Sequence, residues 1–380
     1  MRSEADGTTQ PWVLQLCHGY DGPFLDCARQ YAALFEGTPY KVCTVYLTGV
    51  PNDKVTRGSA SDEVIFLDYD GKDIRGLKLH AIRRLRQIAR HRDFRFCIAH
   101  RFKPIYISLL ATRLPVFGVH HAFGVYKRPM RRWFINRFRS RLLLLGVSNA
   151  VRDEIRAHLP HWDSSCIETL YNRIDVEAVR AEQIPRAAAR SFLNVPQDAW
   201  VVGNVGRLHP DKDHATLLRA FARALPTLPP GALLAILGKG RLEGSLKRLS
   251  AELGIAERTL FMGQVPEARR YFKAFDAFAL SSDHEPFGMV LLEAMIADLP
   301  VIASACGGAP EVVGDCGLLF PLGDDQQLAN SLEKVSNFDE AQLEQIKQSM
   351  RDRLNRMFSD DAARNTFWHL PWIGEIESMQ

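Results

Sequence analysis

Long apolar runs are missing from this 380-residue sequence, and none approaches the roughly 20 residues that a membrane-spanning helix requires. The opening MRSEADGTTQP is polar and holds no apolar stretch of the kind a secretory signal needs, so residues 1–11 are expected to be a loose tail. CxxC pairs are absent as well. The seven cysteines, at 17, 27, 43, 97, 166, 306 and 316, are scattered, several inside apolar strand-like runs, and read as buried reduced thiols of a cytoplasmic protein. Acids are scarce in one stretch. Residues 74–141 hold 18 Lys or Arg against the single acid Asp93, a charge of +17, whereas the whole chain carries +4; the remainder is therefore net acidic, at −13. A basic stretch of that density implies an anionic partner: a membrane surface, an acidic glycan or nucleic acid.

What is present suggests two domains, because a chain of this length outgrows a single core. An apolar strand at residues 12–17 is followed by His18-Gly19-Tyr20-Asp21-Gly22-Pro23 and a helical pattern over 24–35, the opening of a Rossmann-like unit. Gly19 and Gly22 allow a phosphate to approach the backbone, or else make a plain strand-to-helix turn. An amphipathic helix is expected over 74–91, with Ile74, Leu77, Ala81, Ile82, Leu85 and Ile88 on one face. Strand patterns over 94–99 and 116–119 follow, the second leading into His120-His121. Asp68 and Asp70 form an Asp-x-Asp pair, but nothing around it supplies a third metal ligand, and no metal is expected. In KRPMRRWFINRFRSR (127–141), Trp133, Phe134, Ile135 and Phe138 interleave with Lys127 and six arginines, at 128, 131, 132, 137, 139 and 141. That mixture suits an interfacial helix on anionic lipid, or a helix with one core face and one solvated basic face. No RNA-binding signature accompanies it, and no nucleic-acid partner is expected. The strand–loop–helix pattern restarts near residue 200. There Arg207 and Lys212, in the loop after a strand, are two cations spaced to grip a diphosphate, unless they are ordinary surface residues.

The second half is organised around SSDHEPFGMVLLEAMIADLPVIASACGGAPEVVGD, from Ser281 to Asp315. A helix there is apolar except for Glu293, and Glu285 stands eight positions earlier, so the two acids bracket Phe287-Gly288-Met289 at the helix start. A helix start offers unpaired N–H donors and partial positive charge to a phosphate. Flanking carboxylates suit sugar hydroxyls. Together they describe a nucleotide-sugar site.

EPFGMVLLEAM, with Pro286 after the first glutamate, resembles the signature of retaining glycosyltransferases of family 4, which have the GT-B fold. PVIAS-x-x-GG-x-x-E (300–311) and GRLHPDKD (206–213) fit the same family. The resemblance implies an α/β GT-B architecture of two facing Rossmann-like domains with a cleft between them: residues 1–185 binding the acceptor, 186–358 binding the nucleotide-sugar, and 359–380 returning to the first domain. It implies that Glu285 accepts donor-sugar hydroxyls and Glu293 the ribose hydroxyls. Gly19 and Gly22 would lie beneath the donor diphosphate, beside Gly206, Arg207 and Lys212. Gly238 and Gly240 would lie near the nucleotide, and Gln264 and Val265 would hold the base through backbone groups. A histidine at the strand end, His121 with His120 as the alternative, would touch the donor sugar. No cofactor is implied beyond the co-substrate, most simply a UDP-sugar. With the basic stretch, the expectation is a peripheral enzyme on the cytoplasmic membrane face, glycosylating a lipid-linked acceptor such as a lipopolysaccharide core or envelope glycan. The alternatives are a soluble transferase on small sugars or polysaccharide, a sugar-nucleotide epimerase of the same fold, and a non-catalytic nucleic-acid binder, which leaves Glu285 and Glu293 without a role.

Overall fold

The structure is a computed structural model that describes residues 10–22 and 24–378. Most of the expected tail at 1–11, and Pro23, lie outside the described residues. The chain divides into two compact units, residues 1–172 with 360–380, and residues 173–359.

The first unit is built on a seven-stranded, all-parallel sheet: β1 (Trp12–Cys17), β2 (Lys41–Tyr46), β3 (Glu63–Phe66), β4 (Phe94–His100), β5 (Val116–His120), β6 (Leu142–Gly146) and β7 (Ile167–Thr169), in the order β3-β2-β1-β4-β5-β6-β7. Parallel strands covered on both faces must be apolar throughout. The sequences VFGVH of β5 and LLLLG of β6, buried at every position, satisfy this requirement. The second unit repeats the plan with six parallel strands: β8 (Val201–Val205), β9 (Leu233–Leu237), β10 (Thr259–Gly263), β11 (Ala277–Leu280), β12 (Val301–Ser304) and β13 (Leu318–Phe320), in the order β10-β9-β8-β11-β12-β13. In both sheets the strand order reverses beside the first strand, at β1/β4 and at β8/β11. Ligands of doubly wound sheets bind outside the carboxyl ends of the strands at such a point.

Residues 360–380 cluster with the first unit. Arg29 pairs with Asp360 at 3.1 Å, Trp368 donates to the Leu34 carbonyl at 3.0 Å, and the rings of Phe35 and Phe367 meet edge to face at 5.6 Å. At the other boundary the change of unit comes at 172/173 rather than 185. The helix Val176–Glu182 packs on the second unit, and Ile184 N–H donates to the Arg270 carbonyl at 2.8 Å. The next helix, Arg186–Phe192, is locked by Arg190. Its fully buried guanidinium donates to the carbonyls of Ala274, Pro196 and Gln197 and to Asp276 at 2.8 Å.

Three local expectations change. The helix expected over 74–91 runs only Leu79–Ile88, because Gly76 and Lys78 adopt positive φ (55° and 57°) and end the helical path. Ile74 is still buried, but Leu77 is 68% exposed instead of joining the apolar face. The basic segment at 127–141 is a two-turn helix, Pro129–Asn136, followed by a separate short turn at Arg139–Arg141. The helix Phe102–Ala111 was not legible in the sequence pattern.

Candidate active site

The β8 loop begins at Gly206 and turns through Pro210–Lys212 before Asp213, at φ +39°, caps the helix His214–Ala224 through the N–H of Thr216. That turn carries Lys212 back over the end of β11. Its ammonium lies 2.7 Å from Oε2 of Glu285, with the two side chains 19% and 9% exposed. The Ser282 hydroxyl donates to the same carboxylate oxygen at 3.2 Å. The Ser281 hydroxyl donates to the Lys212 carbonyl at 3.0 Å, and Asp283 N–H to the Asp211 carbonyl at 3.1 Å. Residues 73 positions apart thus form one nearly dry ion pair at the sheet's switch point.

Arg207 is not its equivalent. The two cations were expected to be fixed alike, but the Arg207 side chain is 75% exposed and its guanidinium stands 3.5 Å from Asp211. It follows β8 immediately, on the solvent side of the turn, and a single long surface pair leaves its long side chain able to move.

The helix Met289–Ile296 begins immediately beyond Glu285 and Pro286. Its N-cap is Gly288, at φ +106°, and no side chain caps this end. First-turn N–H groups are therefore presented at a positive helix terminus. Met289 is half-buried there, and Phe287 is held by an edge-to-face contact with Phe358 at 5.7 Å. Glu293 sits one turn further in and is half-buried. The 285–287 loop rests on the following glycine turn: Gly308 N–H donates to the Glu285 carbonyl at 2.8 Å, and a Cβ at Gly308 would lie 2.5 Å from the Pro286 oxygen. Any larger residue at 308 lifts this loop.

Three strand-end loops are stitched together on the other side of the switch point. Gly206 N–H donates to the Leu237 carbonyl at 3.0 Å, Leu208 N–H to Lys239 at 3.0 Å, and Gly238 N–H to Gly263 at 2.7 Å. At Gly238, φ is +153° and a Cβ would fall 1.8 Å from the Gly206 oxygen, so only glycine permits this approach. Gly240 continues that loop, and exposed Gln264 and half-buried Val265 leave the end of β10 beside it. The second-unit candidates therefore share one edge of one sheet. Sequence reasoning missed Ser281, Ser282 and buried His214. Burial first, then Lys212, lowers the pKa of His214 to about 4. The serines carried a signal only in standing directly after an apolar strand.

In the first unit, His120 and His121 take different roles. His120 is buried and pairs through Nε2 with the Tyr126 hydroxyl at 2.9 Å. His121 is half-buried, with Nε2 3.1 Å from His100 Nδ1 and Nδ1 4.0 Å from Cys27 Sγ. Burial is the main cause lowering both pKa values to about 3, helped by His121 at His120 and by Arg101 at His121. Both are neutral near pH 7, able to exchange hydrogen bonds without carrying charge. Gly19 packs against Thr48, whose hydroxyl donates to the His18 carbonyl at 2.8 Å, and Gly22 stands open at φ +60°. Asp70 closes its own turn, accepting from the N–H groups of Lys72 and Asp73.

The sequence profile described as "Glycosyl transferases group 1" matches residues 185–353. The second unit carries a glycosyl transferases group 1 domain. Among curated relatives of the glycosyltransferase domain, the lipopolysaccharide core biosynthesis glycosyltransferase LpsE of Rhizobium meliloti (strain 1021) is 31% identical over 186 residues, 48% of this chain and 53% of its own length. A D-inositol 3-phosphate glycosyltransferase of Saccharomonospora viridis is 38% identical over 185 residues, 45% of this chain and 42% of its own. The chain thus spans about half the length of the curated relatives it matches. Over the whole chain the likeness is one of structure. A glycosyltransferase from Rickettsia africae ESF-5 superposes with a TM-score of 0.83 at 15% identity, covering 98% of this chain and 100% of the other. Anabaena Alr3699/HepE, solved in complex with UDP and glucose, superposes with a TM-score of 0.74 at 20% identity over 98% and 100%. At these identities the likeness establishes the fold, and the GT-B architecture of two Rossmann-like units is borne out. The resemblance carried by EPFGMVLLEAM and GRLHPDKD is borne out for the glycosyltransferase domain.

Proposed function

We propose that the chain is a retaining, metal-independent glycosyltransferase that moves a sugar from a UDP-sugar to a lipid-linked or envelope glycan acceptor of the lipopolysaccharide-core type. One observation carries the reading: the Lys212–Glu285 pair stands beside the uncapped, glycine-started helix Met289–Ile296. A donor diphosphate would accept N–H groups of Gly288 and Met289 and would take over the Lys212 ammonium. That would release Glu285 to accept the sugar hydroxyls. Glu293 would hold the ribose, Gly238, Gly240, Gln264 and Val265 the base, and exposed Arg207 would reach the phosphates. As the anomeric C–O bond to phosphate breaks, negative charge grows on the departing diphosphate, and the preorganised Lys212 charge lowers that barrier. The acceptor oxygen forms its bond on the same face, and its proton passes to the leaving phosphate oxygen. Neutral His121 would position the donor sugar, His120 remaining occupied by Tyr126.

The membrane part of the proposal rests on the surface of the first unit. Leu77, Phe102, Tyr106, Trp133, Phe134 and Phe138 contribute to the lining of a hollow of about 520 Å³, and Met130 and Trp133 are 72% and 62% exposed. Arg131, Arg132 and Arg141 are engaged with backbone carbonyls, while Lys127, Arg128, Arg137 and Arg139 face solvent around this patch. Aromatic groups ringed by cations suit the headgroup region of an anionic bilayer, here the cytoplasmic face. The relative named for D-inositol 3-phosphate favours a second reading, a transferase acting on a small soluble acceptor. A thermal-shift panel of UDP-, GDP- and ADP-sugars tests the donor, since a bound ligand raises apparent stability by mass action. UDP-sugars should raise Tm most, and a flat response to all three sinks the proposal.

A further inference from the structure

β4 and β5 lie side by side, with His100 opposite Val119, so His100 at the end of β4 stands next to His120 and His121 at the end of β5. The Arg101 N–H donates to the Val119 carbonyl at 2.8 Å and ties the two strand ends together. Tyr126 takes His120, whereas His121 meets His100, Nε2 to Nδ1, at 3.1 Å. The centres of the two imidazoles are 5.4 Å apart and their planes 21° from parallel. That separation exceeds the N···N distance by about the width of one imidazole. The rings therefore meet edge to edge with the two nitrogens aimed at each other, the geometry of a linear hydrogen bond. The Tyr31 ring closes on His100 edge to face, 4.7 Å between centres, and His100 is only 3% exposed.

Which ring donates follows from the surroundings. Burial, then His121 and Arg101, holds the pKa of His100 well below its ordinary value; burial, then Arg101, takes that of His121 to about 3. Each ring is neutral near pH 7 and carries one proton. Among the described residues, the second nitrogen of His100, Nε2, is buried and has no hydrogen-bond partner. A proton there would be a stranded N–H, which native interiors avoid more strictly than a stranded lone pair. The His100 proton therefore sits on Nδ1 and is donated to His121 Nε2. His121 must then carry its own proton on Nδ1, where its partner is the Cys27 sulfur at 4.0 Å, a weak acceptor at the far limit of such a contact. An oxygen acceptor would displace that sulfur.

We propose that His100 is a positioning residue: it locks His121 in the Nδ1–H tautomer, so that His121 meets the donor sugar as a neutral hydrogen-bond donor and never as a base. This role rests on the reading that His121 touches the donor sugar, and it fixes the direction of that bond. His121 has no free lone pair, because His100 fills Nε2 and Nδ1 carries the proton. It can hold a sugar oxygen but cannot take the acceptor's proton, which is left to the departing phosphate oxygen.

The test labels the histidines of the full chain with nitrogen-15 and reads their tautomers by NMR near neutral pH; the His121 signals are those that vanish in His121→Asn. Wild-type His121 should show a protonated Nδ1 and a bare Nε2. The reverse, or a mixture of the two tautomers, overturns the proposal before any variant of His100 is made. His100→Asn keeps an amide donor close to the place of Nδ1 and should keep the tautomer; His100→Leu removes the donor and should lose it. Binding is read by calorimetry with UDP and with UDP-glucose, UDP-galactose and UDP-N-acetylglucosamine, the tightest UDP-sugar being compared with UDP alone. His100→Leu should bind that UDP-sugar about tenfold more weakly, the effect of one misdirected hydrogen bond, and UDP within about twofold of wild type. His100→Asn should restore the UDP-sugar to within about threefold. A purely structural role for His100 predicts that UDP and UDP-sugar weaken together, and that Asn rescues nothing; that pattern overturns the proposal, as does unchanged UDP-sugar affinity in His100→Leu. If His100→Leu does not fold, the wild-type spectrum and His100→Asn still decide. If the wild type binds none of these nucleotides, the donor reading falls, and the tautomer seen by NMR still decides whether His100 directs the His121 proton.

Discussion

Replacing Lys212 with methionine keeps most of the side-chain volume and removes the charge that faces Glu285. The carboxylate then stays nearly buried, with the Ser282 hydroxyl at 3.2 Å as its remaining side-chain donor near Lys212. Breaking a buried pair from one side costs about 3–5 kcal/mol, and the 19% exposure of Lys212 argues for the lower end, about 3 kcal/mol. Replacing both partners, Lys212→Met with Glu285→Gln, leaves no stranded charge and should cost only about 1 kcal/mol. The double-mutant cycle should therefore give a coupling of about 2 kcal/mol or more, measured by urea denaturation followed by circular dichroism. Turnover should separate from stability. Each single variant should lose roughly 10²–10³ in kcat, because loss of a preorganised charge raises the barrier by about 3–4 kcal/mol, and the stable double variant should recover none of it. Additive stability losses would refute the ion-pair argument. Near wild-type kcat in Lys212→Met at a temperature where it is folded would refute the catalytic one.

Gly238→Ala places a Cβ against the Gly206 oxygen at a φ that alanine resists; Tm should fall by several degrees, and nucleotide-induced stabilisation should fall with it. His120 and His121, held at about 3 in the folded state, should weaken the fold in acid. The unfolded chain takes up protons near pH 6.5 and the native chain does not, so this stability is complete above that pH and drains away as pH falls toward 3. A His121→Asn variant should lose about 2 kcal/mol less than wild type between pH 7 and pH 5 in denaturant titrations; an identical pH slope contradicts the burial. Arg190→Met, which leaves the Ala274, Pro196 and Gln197 carbonyls without this donor while Asp276 keeps Arg186 and the Val201 N–H, should destabilise the second unit by about 2 kcal/mol, and a change below about 1 kcal/mol removes the proposed lock. Trp133→Ser combined with Met130→Ser should reduce sedimentation with anionic liposomes at moderate salt; unchanged sedimentation counts against this patch as the membrane contact.

Much of the architecture was readable from residue order because parallel strands buried on both faces must be written as apolar runs: 12–17, 142–146 and 233–237 announce themselves. The glycine-started helix after Glu285 was legible for a similar local reason, since Gly288 and the apolar run behind it specify a helix and its start. The helix Phe102–Ala111 was invisible because FKPIYISLLA is apolar nearly all round, buries six of its ten residues and shows no stripe. The start of Leu79–Ile88 was misplaced because apolar periodicity continues through Gly76 and Lys78 while the backbone does not.

The chemistry divides along the same line. Sequence alone determined which groups exist for the task, two acids, two cations and the glycine loops, because each motif is local. Only tertiary structure decided that Lys212 is held against Glu285 while Arg207 lies exposed beside Asp211, and that His120 is consumed by Tyr126 while His121 meets His100. Those outcomes join positions as many as 73 residues apart. Strand order sets such meetings, and burial then fixes which charges are held and which stay loose; neither quantity is written in any single stretch of the chain.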